Sequence, residues 1–314
     1  MREKLVKYIG YILVILSLSF IVITLHGFQI NFSEIGNVSQ ILKLVAFLSL
    51  YMLIAVFSFS YAMKLNLEFL SNKKLKLIRP VEIYLKTNLC KYLPGNVMQY
   101  VSRNVYAGEI GITHTKMAFG TALELFFVAF TTLLLSIILG RELFFALIRE
   151  YVPVRVYYIM LIVLIGCFGL GLLIFRKRAF ALISKIVEQL KNMGFTLVLK
   201  HACRMIGILV LCHAISGTTF FFLLRAVSDA AYVNPLIVIP AVIISWFIGF
   251  VTPGSPGGIG VKEAVLSLLL MDFYGRENVL VAALLFRVVT VSADVLAFSF
   301  FMLFKKVWKS SNKK

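Results

Sequence analysis

The sequence predicts an all-α polytopic membrane protein with six full spans and two re-entrant helical hairpins, and three observations support this fold class. Hydrophobic residues make up 61% of the 314 residues and charged residues only 15%, with a mean hydropathy of +0.94. A soluble domain carries about 25% charged residues, so lipid has to cover much of this surface. Six apolar runs are long enough to cross a hydrocarbon core of about 30 Å. Two further apolar stretches are interrupted by Pro-Gly loops.

The six predicted spans occupy residues 8–26, 41–63, 115–139, 154–175, 204–225 and 278–304. The first is too long for a signal-peptide core and no small-residue cleavage site follows it, so we expect it to be retained. Lysine and arginine cluster in the N-terminal tail, in alternate loops and in the C-terminal tail, whereas the loops 27–40 and 226–234 contain neither. The positive-inside rule then places the chain in the cell membrane with both termini cytoplasmic.

The two interrupted stretches, 81–113 and 235–273, fit this alternation only if each enters and leaves the membrane on the same side. We therefore predict two re-entrant hairpins, the first entering from the cytoplasm and the second from outside. Non-helical backbone is tolerated at membrane depth only where protein or water covers it. A further stretch, 179–199, has an apolar face and is predicted to be a cytoplasmic interfacial helix.

The order span, hairpin, span occurs twice, at 41–139 and at 204–304, within what we expect to be a single membrane domain over residues 1–314. The first unit starts outside and the second inside, so the predicted repeats have inverted topology. Transporters often use inverted repeats built around broken helices, with the binding site between them near the membrane midplane. Any set of apolar helices offers some apparent pairing, but the Pro-Gly positions favour a true repeat.

The two breaks are candidate binding sites for an anion. The first contains Pro94 and Gly95, and Asn96 is a suitable N-cap for a new half-helix. The second contains Gly257, Gly258 and Gly260. The N-terminus of a helix has free N–H groups and a positive dipole end, so two such ends meeting at the midplane would suit a phosphate.

Charged residues inside the membrane are expensive, at about 2.5–3.5 kcal/mol each on insertion scales. The predicted spans contain Glu124, Arg287 and Asp294, and the hairpins contain Arg103, Lys262 and Glu263. We hypothesise pairs that cross between the repeats, Glu124 with Arg287 and Arg103 with Glu263. In one interpretation a lipid phosphate competes for the arginines while the three acids gate the site or carry protons. In the other the pairs are static and lock the helices together.

The remaining polar residues carry little chemistry. No C-x-x-C pair occurs, so no disulfide framework, metal site or cofactor is predicted. His213 lies within a span and is interpreted as a structural hydrogen-bonding residue. The net charge of +18 sits in short loop clusters, which argues against a nucleic-acid partner.

The segments K-Y-L-P-G-N…R (91–103) and T-P-G-S-P-G-G-I-G-V-K-E (252–263), together with Glu124 and Arg287, resemble the flippase-like family. That family includes the transmembrane region of lysylphosphatidylglycerol synthase, the multiple peptide resistance factor. The resemblance covers essentially the whole chain and implies translocation of a lipid between leaflets. We expect no soluble synthase domain, because the chain ends ten residues after its last predicted span.

The leading hypothesis is a flippase or transporter, not an enzyme, for an anionic lipid or lipid-linked glycan. No G-x-x-x-x-G-K-[ST] motif occurs, so transport would be passive or coupled to an ion gradient. The residues predicted to bind the head group are Pro94, Gly95, Asn96, Arg103, Gly257, Gly258, Gly260 and Arg287.

Two alternatives stay open. An intramembrane glycosyl or lipid-head-group transferase is disfavoured by the scarcity of acidic residues, of which there are 14. A non-transporting accessory protein is disfavoured by the energetic cost of its buried charges. The sequence leaves open whether the chain forms a homo-oligomer.

Overall fold

The computed structural model describes residues 38–92, 98–143, 145, 194–228, 232–252, 258 and 260–311, and every regular element among them is helical. Two 3₁₀ helices, Leu89–Tyr92 and Ala107–Ile110, accompany the α-helices. The described α-helices are α1 Val38–Ser71, α2 Ile78–Asn88, α3 Met98–Val105, α4 His114–Leu139, α5 Phe195–Val227, α6 Pro235–Val251, α7 Val261–Tyr274 and α8 Arg276–Ser311. The all-α class is thus confirmed for this part of the chain.

Four of the described helices are long and apolar enough to cross a membrane: Ser39–Ser71, His114–Leu139, Phe195–Val227 and Arg276–Lys305. They match the predicted spans 41–63, 115–139, 204–225 and 278–304. The predicted spans 8–26 and 154–175 lie outside the described residues. On α1, large side chains such as Phe47, Leu50 and Ile54 are at least half exposed, whereas Leu48 and Met52 are buried. This division into an exposed and a buried apolar face suits a helix with lipid on one side.

Helix α5 starts earlier than its sequence pattern indicated. Of the predicted interfacial helix 179–199, residues 179–193 lie outside the described residues, and 195–199 belong to the first turns of α5. Gly194 precedes the helix with a φ of 78°. No proline or glycine follows until Gly207, so nothing separates 195–199 from the span. The interfacial helix over residues 179–199 stays a prediction, because most of that range lies outside the described residues.

The two predicted repeats have the same order of helix lengths: long, short, short, long. We call α2 with α3 the first helical pair, and α6 with α7 the second helical pair. In the second, the backbone N–H of Asn234 donates to the hydroxyl of Tyr274 at 2.9 Å, which joins the start of α6 to the end of α7. In the first, the Arg103 guanidinium on α3 lies 5.0 Å from the centre of the Tyr84 ring on α2. Both pairs therefore fold back on themselves.

Helix α8 connects the outer ends of the two helical pairs. It begins at Arg276, directly after Gly275, which ends α7. Near its other end, Lys305 forms an ion pair with Glu82, close to the start of α2. The 30 residues from Arg276 to Lys305 span about 45 Å at 1.5 Å per residue. The outer ends of the two pairs consequently lie at opposite ends of α8.

Contacts divide the chain into two compact units, Met1–Gly140 with Met205–Lys314, and Arg141–Arg204. Both helical pairs belong to the first unit, whose buried core draws Leu48 from α1, Leu85 from α2 and Val289 from α8. His213 on α5 shares a 2.8 Å hydrogen bond with Thr132 on α4, which confirms its structural role. The prediction of a single membrane domain over residues 1–314 stays a prediction.

Candidate functional site

A cavity of about 210 Å³ lies where the two helical pairs meet α1, α4 and α8. Its walls include aromatic side chains, among them Tyr92, Tyr100 and Trp246. The charged residues singled out from the sequence all line it, although they are spread over 191 positions of the chain. They are Arg103, Glu124, Glu263, Arg287 and Asp294.

The most deeply buried ion pair among those that line the cavity joins Arg103 on α3 to Glu124 on α4. One guanidinium nitrogen, Nη1, donates to both carboxylate oxygens, at 3.0 and 2.9 Å. The two side chains are only 2% and 7% exposed. The guanidinium also lies 5.0 and 5.4 Å from the ring centres of Tyr84 and Tyr100. Such a charge-assisted pair offsets part of the high cost of removing both charges from water.

The corresponding contact in the second repeat joins Glu263 on α7 to Arg287 on α8 and is longer. Arg287 Nε lies 3.5 Å from Glu263 Oε1. The other carboxylate oxygen, Oε2, accepts a 2.9 Å hydrogen bond from the backbone N–H of Gly260, the N-cap of α7. This helix end was predicted to bind a phosphate through its free N–H groups. One of these groups, that of Gly260, instead donates to the Glu263 carboxylate.

The hypothesis of pairs crossing between the repeats is wrong. Arg103 pairs with Glu124 and Arg287 with Glu263, each within its own repeat. The reason is local: the second arm of each helical pair packs against the long helix that follows it, α3 against α4 and α7 against α8. The signs are exchanged, since the arginine is on the helical pair in the first repeat and on the long helix in the second.

Asp294 on α8 forms cavity contacts that do cross between the predicted repeats. Its Oδ2 accepts from the Tyr92 hydroxyl and pairs with Lys91 Nζ, both at 2.6 Å, and its Oδ1 accepts from Asn88 Nδ2 at 2.8 Å. All three partners lie just before the first Pro-Gly break. Sequence reasoning missed them as site residues, although Lys91 and Tyr92 open the K-Y-L-P-G-N segment.

Lys262, near the start of α7, is a fourth cation of the cavity that sequence reasoning did not assign to the site. Its stem packs against two glycines: a Cβ on Gly249 would lie 2.6 Å from Lys262 Cγ, and one on Gly258 would lie 2.5 Å from Cε. Its ammonium lies 5.4 Å from the centre of the Trp246 ring. Gly258 also has a φ of +77°, which other residues rarely adopt.

The other residues predicted to bind the head group are only partly placed. Gly258 lines the cavity, where it makes room for Lys262. Gly260 is exposed at the start of α7 and does not line the cavity. Pro94, Gly95, Asn96 and Gly257 lie outside the described residues. What the structure shows for Gly258 is that the missing side chain leaves space for the Lys262 stem.

Comparison of the chain with protein-family models, with curated proteins and with solved structures finds no match.

Proposed function

We propose that this protein is a flippase or transporter that moves a lipid with an anionic phosphate head group between membrane leaflets. The observation that carries the proposal is one cavity, bounded by both helical pairs, in which four cations and three acids meet. The bundle around it has apolar outer faces, to which Phe126 and Phe130 contribute on α4. A polar head group crossing the hydrocarbon needs such an internal site, while its acyl chains stay in lipid.

In the proposed mechanism the helical pairs are re-entrant hairpins, and the repeats rock about the cavity. Asp294 would then act as a gate. It links α8 to Asn88 at the C-terminal end of α2, and to Lys91 and Tyr92 directly after that helix. Arg103 and Arg287 would exchange part of their contact with Glu124 and Glu263 for the phosphate. The resemblance of the 91–103 and 252–263 segments to the flippase-like family supports the same proposal.

The transferase alternative requires a carboxylate that is available to act as a base. Each of the three acids in the cavity is instead held by a cation: Glu124 by Arg103, Glu263 by Arg287 and Asp294 by Lys91. The accessory-protein alternative leaves the energetic cost of these buried charges without a purpose. Transport therefore accounts for more of the cavity than either alternative.

The proposal is tested with purified protein in phosphatidylcholine vesicles that contain a trace of lipid fluorescently labelled on its acyl chain. Dithionite added outside bleaches only the outer leaflet of protein-free vesicles. We expect the protein to expose inner-leaflet label at a rate that depends on the lipid head group. The same protein, gently extracted, should retain an anionic lipid that native mass spectrometry detects.

The matched variants are Arg103→Met with Glu124→Gln, which neutralises the buried pair without leaving a lone charge, and Lys64→Met with Glu68→Gln on α1. Lys64 and Glu68 also form an ion pair, at 2.8 Å, but they do not line the cavity. We expect at least tenfold slower lipid movement in the first double variant and little change in the second. Absence of head-group-dependent movement in the unaltered protein, with or without a pH gradient, would refute the proposal.

A further inference from the structure

The charges that line the cavity do not balance. Its cations are Lys91, Arg103, Lys262 and Arg287, and its acids are Glu124, Glu263 and Asp294. Three of the cations each have an acidic partner. Among the described residues, Lys262 has no carboxylate oxygen within 4.0 Å of its Nζ. With every group in its ordinary charge state, the cavity carries a formal excess of one positive charge, and Lys262 is the cation left over.

The position of this lysine is built into the fold. Its stem packs between the α-carbons of Gly249 on α6 and Gly258, where a single added methyl group would lie within 2.6 Å of it. The Trp246 ring lies near its ammonium, and Trp246 is itself stacked on Phe250 with ring centres 5.3 Å apart. An ammonium held in this way is oriented before a ligand arrives, which lowers the entropy lost on binding.

We propose that Lys262 binds the phosphate of the head group, and that the cavity is selective for a single phosphodiester with a small head. This inference rests on the proposed function and narrows its substrate class. One negative charge balances the excess positive charge, whereas a diphosphate leaves negative charge in a low-dielectric site. Pockets for drug-sized ligands measure about 300–1,000 Å³. The cavity, at about 210 Å³, is smaller, so it suits a phosphodiester head better than a lipid-linked oligosaccharide.

The test measures binding, so that its result does not depend on transport. Detergent-purified protein is titrated with three lipids of matched acyl chains and analysed by native mass spectrometry. They are phosphatidylglycerol with one charge, zwitterionic phosphatidylcholine, and phosphatidic acid, whose monoester carries about 1.5–2 charges at pH 7. We expect phosphatidylglycerol to bind at least about tenfold more tightly than either of the other two, because its single net negative charge balances the excess positive charge of the cavity.

The variant Lys262→Met removes the charge but keeps an unbranched side chain between the glycines. We expect it to weaken phosphatidylglycerol binding at least about tenfold and phosphatidylcholine binding by less, because phosphatidylcholine has no net charge to balance that of the cavity. The matched control is Lys116→Met, which removes an exposed charge near the start of α4. Equal phosphatidylglycerol affinity in Lys262→Met and Lys116→Met would overturn the role of Lys262.

Three further outcomes show whether the inference about Lys262 or the proposed transport function has failed. If Lys262→Met does not fold, the preference of the unaltered protein decides: tighter binding of phosphatidic acid than of phosphatidylglycerol overturns the single-charge inference. If phosphatidylglycerol binds as expected but no lipid moves in vesicles, the transport proposal fails while the binding site stands. If anionic lipids move faster than zwitterionic ones in vesicles but Lys262→Met and Lys116→Met bind phosphatidylglycerol equally, only the inference fails.

Discussion

Gly249 is a glycine in the interior of a helix, where alanine is normally more favourable by about 1 kcal/mol. Helix α6 keeps glycine there for a steric reason: the Lys262 stem occupies the space that a Cβ would need. The ammonium can reach the cavity only because this part of the helix surface has no side chain. Gly249 therefore supports the site by leaving space for the Lys262 stem.

We predict that Gly249→Ala destabilises the protein, despite the better helix propensity of alanine, because the new methyl group overlaps Lys262 Cγ. Overpacking of this kind costs about 1–3 kcal/mol. The second change Lys262→Ala should remove the overlap and restore the melting temperature. The readout is thermal unfolding in detergent.

Gly207 on α5 is the control for this prediction, because nothing lies within 4 Å of a Cβ built there. Gly207→Ala should leave the melting temperature unchanged or raise it. If Gly249→Ala and Gly207→Ala behave alike, the Lys262 stem does not depend on the glycine.

Helix α8 organises the charged contacts at the scale of elements. Arg287, Asp294 and Lys305 are spaced by seven and eleven residues, which places them on one face of a helix with 3.6 residues per turn. On that face, Arg287 contacts Glu263 of the second helical pair, and Asp294 contacts Lys91, which lies just after α2. Lys305 contacts Glu82 near the start of α2. One helix face therefore contacts both helical pairs.

We predict that Asp294→Asn destabilises the protein by about 3 kcal/mol, the lower end of the range for breaking a buried ion pair. The loss leaves Lys91 beside a neutral side chain in a site where Asp294 is 3% exposed. Adding Lys91→Met should recover part of the stability, because no lone charge then remains. Chemical denaturation in detergent measures both changes.

The comparison for this prediction is Glu68→Gln on α1, whose ion pair with Lys64 is more accessible, with side chains 15% and 21% exposed. That change should cost at most about 1 kcal/mol. A loss of similar size in Asp294→Asn would mean that Asp294 is not a structural link between the repeats.

The charged residues of the cavity could be recognised in the sequence because a charged side chain within an apolar run is costly to insert into a membrane and is therefore uncommon. Their partners could not be found in this way. Arg103 and Glu124 are 21 positions apart and Glu263 and Arg287 are 24 apart, and neither spacing by itself favours pairing within a repeat over pairing across repeats. That choice depends on how α3 packs on α4 and α7 on α8. The placement of the Lys262 stem was missed for a similar reason. The stem packs against Gly249, which lies thirteen positions earlier on another helix.

The order of long and short helices was also predictable from the sequence, because the length of an apolar run and a Pro-Gly break are local signals. The start of α5 at Phe195 was not, because a lysine and a histidine near residue 200 resembled the polar edge of a loop. A continuous helix tolerates both side chains when its first turns lie outside the apolar core of the membrane.

At the scale of the whole molecule, the outer ends of the helical pairs lie at opposite ends of α8, as inverted repeats require. The start of α2 is near Lys305, and the end of α7, at Tyr274, is separated from Arg276 by one residue. If α8 crosses the bilayer, the first pair opens to one side and the second to the other. A charged cavity between two such pairs can then be reached alternately from each leaflet.

We predict that cysteines at Lys73 and Thr115, which flank the first helical pair, react with a membrane-impermeant maleimide only from the cytoplasmic side. Cysteines at Tyr232 and Glu277, which flank the second, should react only from outside. All four positions are exposed, and each would be introduced singly into a chain whose native cysteines are replaced by alanine. Labelling is compared between intact cells and inverted vesicles.

Two positions that flank the same pair but react from opposite sides would mean that this pair crosses the membrane and is not re-entrant. If all four react from one side, the repeats are not inverted, and a site reached alternately from both leaflets would lose its structural basis.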